Sequence, residues 1–283
     1  MALSNSSALA TLIGEIVASD AQSAAYATRV MRPLVRNYVV PQGAGSIVVP
    51  RFNRVNVAGL TEGVAPGSAQ MSTAGETLTP LERGAYVQIS KRALHADPFQ
   101  DLAPYGEQLG RSLAEDEDGQ ILSVMNFTSS VAPTSGPLKK ETLLDGIAEL
   151  EGKNVPGPYF AVFHPASWAA IREELSDAAA FASVGRQTVE GFGQGFTNAA
   201  GYVGSPYGIP CFISTQAVNT DATPAPRALM FSKEAVAVAY IKDIGVDVDD
   251  NVVSRAMDLM AWYSVDTVKL VDEYGVKLED GGE

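Results

Sequence analysis

The amino-acid sequence predicts an α+β fold, because helix-like and strand-like patterns occupy separate stretches of the chain instead of alternating. Apolar residues recur with helical spacing in the first 17 residues and again between residues 102 and 125. Strand-like runs dominate from residue 235 to residue 278. With 283 residues, of which 46% are hydrophobic, the chain can bury a sizeable core as one large domain or two modest ones.

Composition and charge exclude several classes of function. The 20 basic and 33 acidic side chains give a formal net charge of −13. This charge argues against a groove that binds nucleic acid by neutralising phosphates, but not against a protein that encloses nucleic acid. One cysteine and two histidines exclude a disulfide framework and most zinc sites. No apolar stretch approaches the roughly 18 residues of a membrane span, and no basic residue precedes Arg29, so we expect neither membrane contact nor a secretory signal.

The first segment predicts a helix with one apolar stripe. The residues of this stripe are spaced three and four apart, and they are Leu9, Leu12, Ile13 and Ile16. The stripe needs a surface to cover it. Two surfaces remain open: the inner face of another copy of the chain, or the chain's own later long helix.

Residues 45–92 predict an extended two-stranded excursion. Short β-rich runs at residues 46–52 and 85–91 flank a stretch of mostly Gly, Ala, Ser, Thr and Val without a helical stripe. A structureless loop of this length is unusual inside a compact domain, and an isolated hairpin is marginal in water. We therefore expect a long hairpin that lies on another surface.

Residues 102–125 predict a long helix whose apolar stripe is interrupted only at Glu117. The helix contains three glycines, Gly106, Gly110 and Gly119. Each glycine costs a helix about 1 kcal/mol relative to alanine. Packing rather than intrinsic propensity must therefore hold this helix.

Several segments match catalytic or ligand-binding motifs only in part. The glycines of residues 191–195 lack the context and spacing of a dinucleotide-binding loop. Acidic residues between 247 and 258 have calcium-loop spacing, but Val252 stands where that loop needs glycine, so a turn between strands is favoured. His164 precedes a proline, which favours a capping role, and Cys211 lies in an apolar run, which favours a buried thiol. We therefore predict no enzyme activity, no cofactor and no metal site.

The order of these segments, together with two short motifs, points to a known family. In residues 163–171 a strand leads through a His-Pro pair into a helix that carries Trp168, and Gly208-Ile209-Pro210 precedes the next strand. With the N-terminal arm, the hairpin and the glycine-interrupted helix, this arrangement resembles the major capsid protein of tailed bacteriophages. The resemblance covers essentially the whole chain, through architecture and soft motifs.

The resemblance implies a structural subunit that self-assembles into an icosahedral shell around double-stranded DNA. It implies an N-arm at residues 1–44, an extended E-loop hairpin at 45–92, a spine helix and part of the peripheral domain at 93–137, an axial domain at 138–233, and peripheral return strands at 234–283. The implied partners are other copies in hexamers and pentamers, a portal protein, and scaffolding or decoration proteins. The implied location is the virion, assembled in the host cytoplasm. The alternative is an encapsulin-like nanocompartment shell, which shares the fold and encloses cargo enzymes.

Charged residues are the candidate contacts between copies. They are Arg51, Arg54, Arg83, Arg92, Glu115, Asp116, Glu117, Asp118, Asp249 and Asp250. The four consecutive acids sweep about 300° around a helix, so they cannot all face water. Because a lone buried carboxylate is costly, we expect one of these arginines from an adjacent copy to cover Glu117. The alternative is a kinked helix that leaves Glu117 in water.

The hairpin is expected to make only non-covalent contacts. Some members of the resembled family join their subunits by an isopeptide bond from a hairpin lysine, but residues 53–90 contain no lysine. Arginine cannot replace it, because the guanidinium stays protonated. We expect charge pairs such as Arg54 or Arg83 with Asp249 or Asp250 instead.

Overall fold

A computed structural model of the chain describes residues 6–41, 43–52, 73–92, 103–134, 136–176, 200–218, 228–251 and 253–280. The helices are α1 (Ser6–Thr28), α2 (Ala103–Val124), α3 (Lys140–Gly152) and α4 (Pro165–Ser176). The strands are β1 (Arg36–Val39), β2 (Ile47–Phe52), β3 (Thr73–Leu78), β4 (Leu81–Ser90), β5 (Ser130–Val131), β6 (Tyr159–Phe163), β7 (Tyr202–Gly204), β8 (Cys211–Ile213), β9 (Ala228–Ser232), β10 (Val236–Tyr240), β11 (Gly245–Asn251), β12 (Ala256–Lys269) and β13 (Gly275–Leu278). Short 3-10 helices lie at Arg32–Leu34, Pro206–Gly208 and Asp272–Tyr274.

The first sheet is built around the 14-residue strand β12 and contains β1, β10, β12, β11 and β4. β4 pairs with residues 256–265 of β12, β11 pairs with residues 256–262 of β12, and β10 pairs with residues 265–269 of β12, all antiparallel. β1 joins the sheet parallel to β10. The strand-like stretch that begins at residue 235 therefore opens with two strands, β10 and β11, which residues 241–244 separate. The interruption is bridged because Ile241 and Lys242 form backbone hydrogen bonds with Ser264.

The second sheet has the strand order β5-β13-β9-β6-β8-β7 and separates two cores. Phe160 and Val162 of β6 belong to the core that contains α1 and α2, whereas Ala161 and Phe163 belong to the core beneath α3 and α4. β13 pairs with β9 in this sheet and not with β12. The expected boundary at residue 234 therefore does not separate the two sheets.

The hairpin is formed by β2 and β3, which pair antiparallel from Ile47 with Leu78 to Phe52 with Thr73. The prediction that residues 85–91 form the returning strand is wrong, because residues 85–90 lie in β4 and pair with β12. Their alternation reflects packing on the core of the first sheet, where Ile89 is buried. The base of the hairpin is held by an apolar cluster of Val40, Val49, Leu78, Ala237, Ala239 and Leu270.

α1 packs lengthwise on α2 at backbone distance. It buries Val17, Ala21 and Ala25, which follow one another at intervals of four residues. An ideal Cβ atom on Gly110 of α2 would lie 2.1 Å from the carbonyl oxygen of Ala21, and one on Gly106 would lie 3.0 Å from the carbonyl oxygen of Val17. The glycines that weaken α2 by propensity are therefore the places where α1 touches its backbone. This close contact agrees with the expectation that packing holds the long helix.

We predict opposite effects for two glycine-to-alanine changes in α2. Gly110→Ala should lower the free energy of unfolding by about 1–3 kcal/mol, because the new methyl group would overlap the backbone of α1. Gly119→Ala should be neutral or stabilising by up to about 1 kcal/mol, because its nearest neighbour is the Gln216 side chain at 3.5 Å. Denaturant unfolding of both variants measures the difference. Equal stability of the two would contradict the close helix contact.

Candidate assembly site

The four acids of α2 differ in exposure according to their direction around the helix. Glu115 is exposed, Asp116 is half-buried, and Glu117 and Asp118 are buried. The expectation that the four acids cannot all face water is confirmed. Each of the three inner acids contacts a different set of partners at the end of α1 or on the first sheet.

Glu117 is paired within its own chain. Its carboxylate lies 2.8 Å from Nε of Arg29 and 3.5 Å from Nε of Arg32. The Arg29 Nε contact is an ion pair without hydrogen-bond geometry. Burial raises the pKa of Glu117, and the two guanidiniums offset this effect only in part. A basic residue therefore covers Glu117 as expected, but it comes from the end of α1 and not from Arg51, Arg54, Arg83 or Arg92.

Asp243, in the turn between β10 and β11, closes the cluster from the side of the first sheet. Its Oδ1 accepts hydrogen bonds from Arg29 at 2.9 Å and Arg32 at 3.0 Å, and its Oδ2 accepts one from the Tyr26 hydroxyl at 2.9 Å. Burial alone would raise the pKa of Asp243, but the hydrogen bond and charge of Arg29, with the charge of Arg32, hold that pKa well below its usual range. Asp243 is therefore the ionised anchor of the cluster.

Asp118 binds the backbone that follows α1. Its two carboxylate oxygens each accept a hydrogen bond of 2.9 Å, one from the backbone N–H of Val30 and one from that of Met31. Burial raises the pKa of Asp118 to about 7, although these two hydrogen bonds act in the opposite direction. The carboxylate thus satisfies two backbone donors that the end of α1 would otherwise leave buried and unpaired.

Asp116 connects α2 to the strands on its other side. Arg83 of β4 donates two hydrogen bonds to it, at 2.9 Å and 3.1 Å, and the Tyr263 hydroxyl of β12 donates one at 2.6 Å. Burial opposes ionisation, but the hydrogen bonds from Tyr263 and Arg83 lower the pKa of Asp116. The planar, two-point contact fixes the orientation of the Arg83 guanidinium.

Sequence comparison assigns the chain to a family. A sequence model described as phage capsid protein matches residues 73–277, which is more than half of the chain. The chain belongs to the phage capsid protein family. None of the curated proteins matches it by sequence.

Solved phage capsids share the fold at low sequence identity. The capsid protein of cyanophage P-SCSP1u is 13% identical, with a TM-score of 0.65 over 88% of this chain and 87% of that chain. The head protein of Helicobacter pylori bacteriophage KHP40 is 10% identical, with a TM-score of 0.66 over 91% and 92%. The virus-like particle protein from Pyrococcus furiosus is 11% identical, with a TM-score of 0.61 over 94% and 98%. The expected capsid fold is confirmed, and membership of the family makes the protein a structural subunit of a capsid shell.

The remaining candidate contacts of this capsid protein lie around the hairpin and β11. Arg51 and Arg92 are exposed, whereas Arg54 lies outside the described residues. Asp250 is paired with Lys91 of the same chain, with Nζ 2.6 Å from Oδ1. Asp249 is exposed and faces Asp258 across the strand pair. Within the chain, Arg83 therefore pairs with Asp116, and Asp250 pairs with Lys91. These two pairs replace the expected pair of Arg83 with Asp250.

The N-terminal stripe is only partly described. Leu9, Leu12 and Ile13 lie in α1, but their side chains are outside the described residues. Ile16 is 55% exposed, whereas Val17 beside it is buried against α2. Of the two surfaces left open by the sequence, the capsid protein's own long helix covers the second half of α1, through a stripe that excludes Ile16.

The sequence contained signals for the partners that its motifs did not identify. Arg29 and Arg32 stand three apart at the end of a helical pattern, which places them on one face. Asp243, with Lys242 beside it, interrupts a strand-like run that is apolar from Ala235 to Ile241. Neither signal specifies which acid the arginines meet, because the chain separation from Arg29 to Asp243 is 214 residues.

Groups outside the cluster have structural roles. His164 Nδ1 accepts a hydrogen bond from the backbone N–H of Ala166 at 3.2 Å, and Cys211 is buried, which raises the pKa of its thiol. Among the described residues, no group of three or more His, Cys, Asp or Glu side chains is placed to hold a metal ion. None of the described helices combines the length and the apolar character of a bilayer span.

We predict that Arg29→Met strongly destabilises this capsid protein. The change would leave two buried or half-buried carboxylates with Arg32 as their shared guanidinium, and breaking a buried pair by removing one partner typically costs about 3–5 kcal/mol. Arg111→Met is the matched control, because its pair with Glu107 is exposed on α2 and should contribute no more than about 0.5 kcal/mol. Denaturant unfolding measures both. A loss for Arg29→Met no larger than that for Arg111→Met would contradict the buried network.

Proposed function

We propose that the chain is the major capsid protein of a tailed bacteriophage and that it forms, in hexamers and pentamers, an icosahedral shell around double-stranded DNA. The match of the phage capsid protein family to residues 73–277 carries this proposal. The net charge of −13 supports it, because a shell of acidic protein can enclose DNA without binding its phosphates tightly. The protein's role is structural, and no catalytic step is assigned to it.

The proposed division of the chain follows the elements in order. Residues 1–44 are the N-arm, 45–92 the extended hairpin, 93–137 the spine helix with part of the peripheral domain, 138–233 the axial domain, and 234–283 mainly peripheral return strands. The independent sheet of β2 and β3 supports a projecting hairpin, because this sheet joins the rest of the chain through the apolar cluster at its base. The pairing of β13 with β9 supports grouping residues 275–278 with the proposed axial domain.

The proposed partners are further copies of the chain, a portal protein and a scaffolding or decoration protein, with assembly in the host cytoplasm. Exposed candidates for contacts between copies are Ile16, Arg51, Arg92 and Asp249. Asp116, Glu117, Asp118 and Arg83 support assembly indirectly, because they fix α1, α2 and β4 relative to one another.

A shell that encloses cargo proteins is the second candidate. The likeness to the virus-like particle protein from Pyrococcus furiosus, over 94% of this chain, favours it. Both candidates require closed shells. They differ in the contents of the particles.

Electron microscopy of the purified protein tests the shell, and the contents of native particles test the choice between the two candidates. We expect closed polyhedral particles, whereas a monodisperse monomer or dimer would contradict a shell protein. Particles isolated from lysed host cells should protect double-stranded DNA from nuclease. Particles that contain protein cargo and no DNA would support the second candidate instead.

We predict that the shell contains no covalent cross-links between copies. The first lysine of the chain is Lys91, which follows the hairpin and pairs with Asp250. Exposed charge pairs contribute about 0–1 kcal/mol each and weaken with salt, so many copies must supply the strength. Particles boiled in detergent should give one band near 29.8 kDa on a denaturing gel. A ladder of multimers that survives denaturation would show that a covalent bond forms.

A further inference from the structure

The charged groups at the junction of α1 and α2 are unequal in number. Glu117 and Asp243 contact the guanidiniums of Arg29 and Arg32, and Asp118, next to Glu117, contacts the backbone N–H groups of Val30 and Met31. Three carboxylates therefore share two guanidiniums as their nearby positive charges. The side chains of Arg29 and Glu117 are only 5% and 2% exposed and Asp118 is 4% exposed, whereas the Asp243 side chain is 31% exposed. If every group is ionised, the cluster holds one excess negative charge, and two of its three carboxylates are closed to water, which is costly.

The described contacts of α1 with α2 combine small apolar side chains with this cluster. Val17, Ala21 and Ala25 of α1 are buried, and the backbone of Val17 and Ala21 lies against the glycine positions of α2, where small side chains bury little apolar surface. The polar contacts to α2 are those of Arg29 and Arg32 with Glu117 and those of the backbone N–H groups of Val30 and Met31 with Asp118. Through Asp243, Tyr26 and both arginines also connect the end of α1 to the first sheet.

We propose that this junction is a proton-linked latch, in which uptake of one proton by the three-carboxylate cluster tightens the hold of α1 on α2 and its loss loosens that hold. The groups that face Asp118 are Glu117 from its own helix, Arg29 from the end of α1, and the two backbone N–H groups. Asp243 faces the same arginines from the first sheet. The latch is a property of the folded chain and does not depend on what the shell encloses.

The direction of the pH dependence follows from the shifted groups. Asp118 has a pKa of about 7 in the folded chain and an ordinary value near about 4 when unfolded. A carboxyl group whose pKa is raised by folding contributes stability that is complete below its ordinary pKa and is lost as the pH rises through the folded value. Burial shifts Glu117 in the same direction. Asp243, whose pKa is lowered, contributes stability above its ordinary pKa and loses it in more acidic solution. The latch is therefore tightest in mildly acidic solution, loosens as the pH rises toward 7, and changes little above that.

Hydrogen–deuterium exchange of the full-length protein, corrected for intrinsic exchange rates, tests the latch. Protection of the peptide that contains residues 26–32 should fall as the pH rises from about 4 to about 7, with a midpoint near about 5.5, and should change little above about 7.5, because the open junction releases the Asp118 proton near its ordinary pKa and the closed junction near 7. Asp118→Asn should remove most of this dependence, because an amide does not ionise. Glu117→Gln should move the midpoint to lower pH, because it removes the like charge that faces Asp118. Asp249→Asn, at an exposed position of β11, should behave as the wild type.

Three results would overturn the proposal. One is wild-type protection that does not change over this pH range, which is decisive even if the Asp118→Asn variant fails to fold. Another is an Asp118→Asn variant that keeps the wild-type dependence. The third is a Glu117→Gln variant whose midpoint stays unchanged or rises, since the titrating proton would then lie outside the cluster.

Discussion

The electrostatic balance where α1 ends on α2 constrains more of this structure than any other interaction among the described residues. Buried charges are tolerated only when each has a partner within hydrogen-bond or ion-pair distance. Glu117 and Asp243 must both lie within reach of Arg29 and Arg32. A shift of α2 by one turn, or a different path of the turn before β11, would leave one of these groups alone. The cluster therefore fixes the N-terminal helix, the long helix and the first sheet in a single arrangement.

The glycines of α2 make this arrangement geometrically possible. Arginine side chains can bridge α2 and the turn before β11 only if α1 lies directly against α2, and a methyl group at Gly110 would force the two backbones apart. The helix thus gives up intrinsic propensity at the positions of closest approach. It regains stability through contacts that a more regular helix could not make. The low intrinsic helix propensity of α2 and its polar contacts with distant segments both follow from the close approach of α1 at the glycines.

The sequence predicted the helices and strands that show a local periodicity. It did not predict which distant segments of the chain pair with one another. The helical spacing of α1 and α2 and the alternation of β12 are local, so the fold class and most elements followed from them. The burial of Glu117 followed from its place in an apolar stripe. Its partner did not, because Arg29 lies far from Glu117 along the chain and periodicity carries no information about such pairs. The returning strand of the hairpin was misplaced for the same reason, since strand-like alternation in residues 85–91 does not reveal whether the strand pairs with β2 or β12.

The location of the charge pairs separates the stability of one subunit from the contacts between subunits. Asp116 pairs with Arg83 of β4 and Asp250 pairs with Lys91 just after β4, both within one chain, so these charges already have partners before any copy meets another. Contacts in the proposed shell must then use exposed groups such as Arg51 and Asp249, whose individual pairs would be weak in salt. Weak contacts repeated over many copies allow a misplaced subunit to leave before the shell closes. The buried cluster lies within one chain, so no neighbouring copy is needed to complete it.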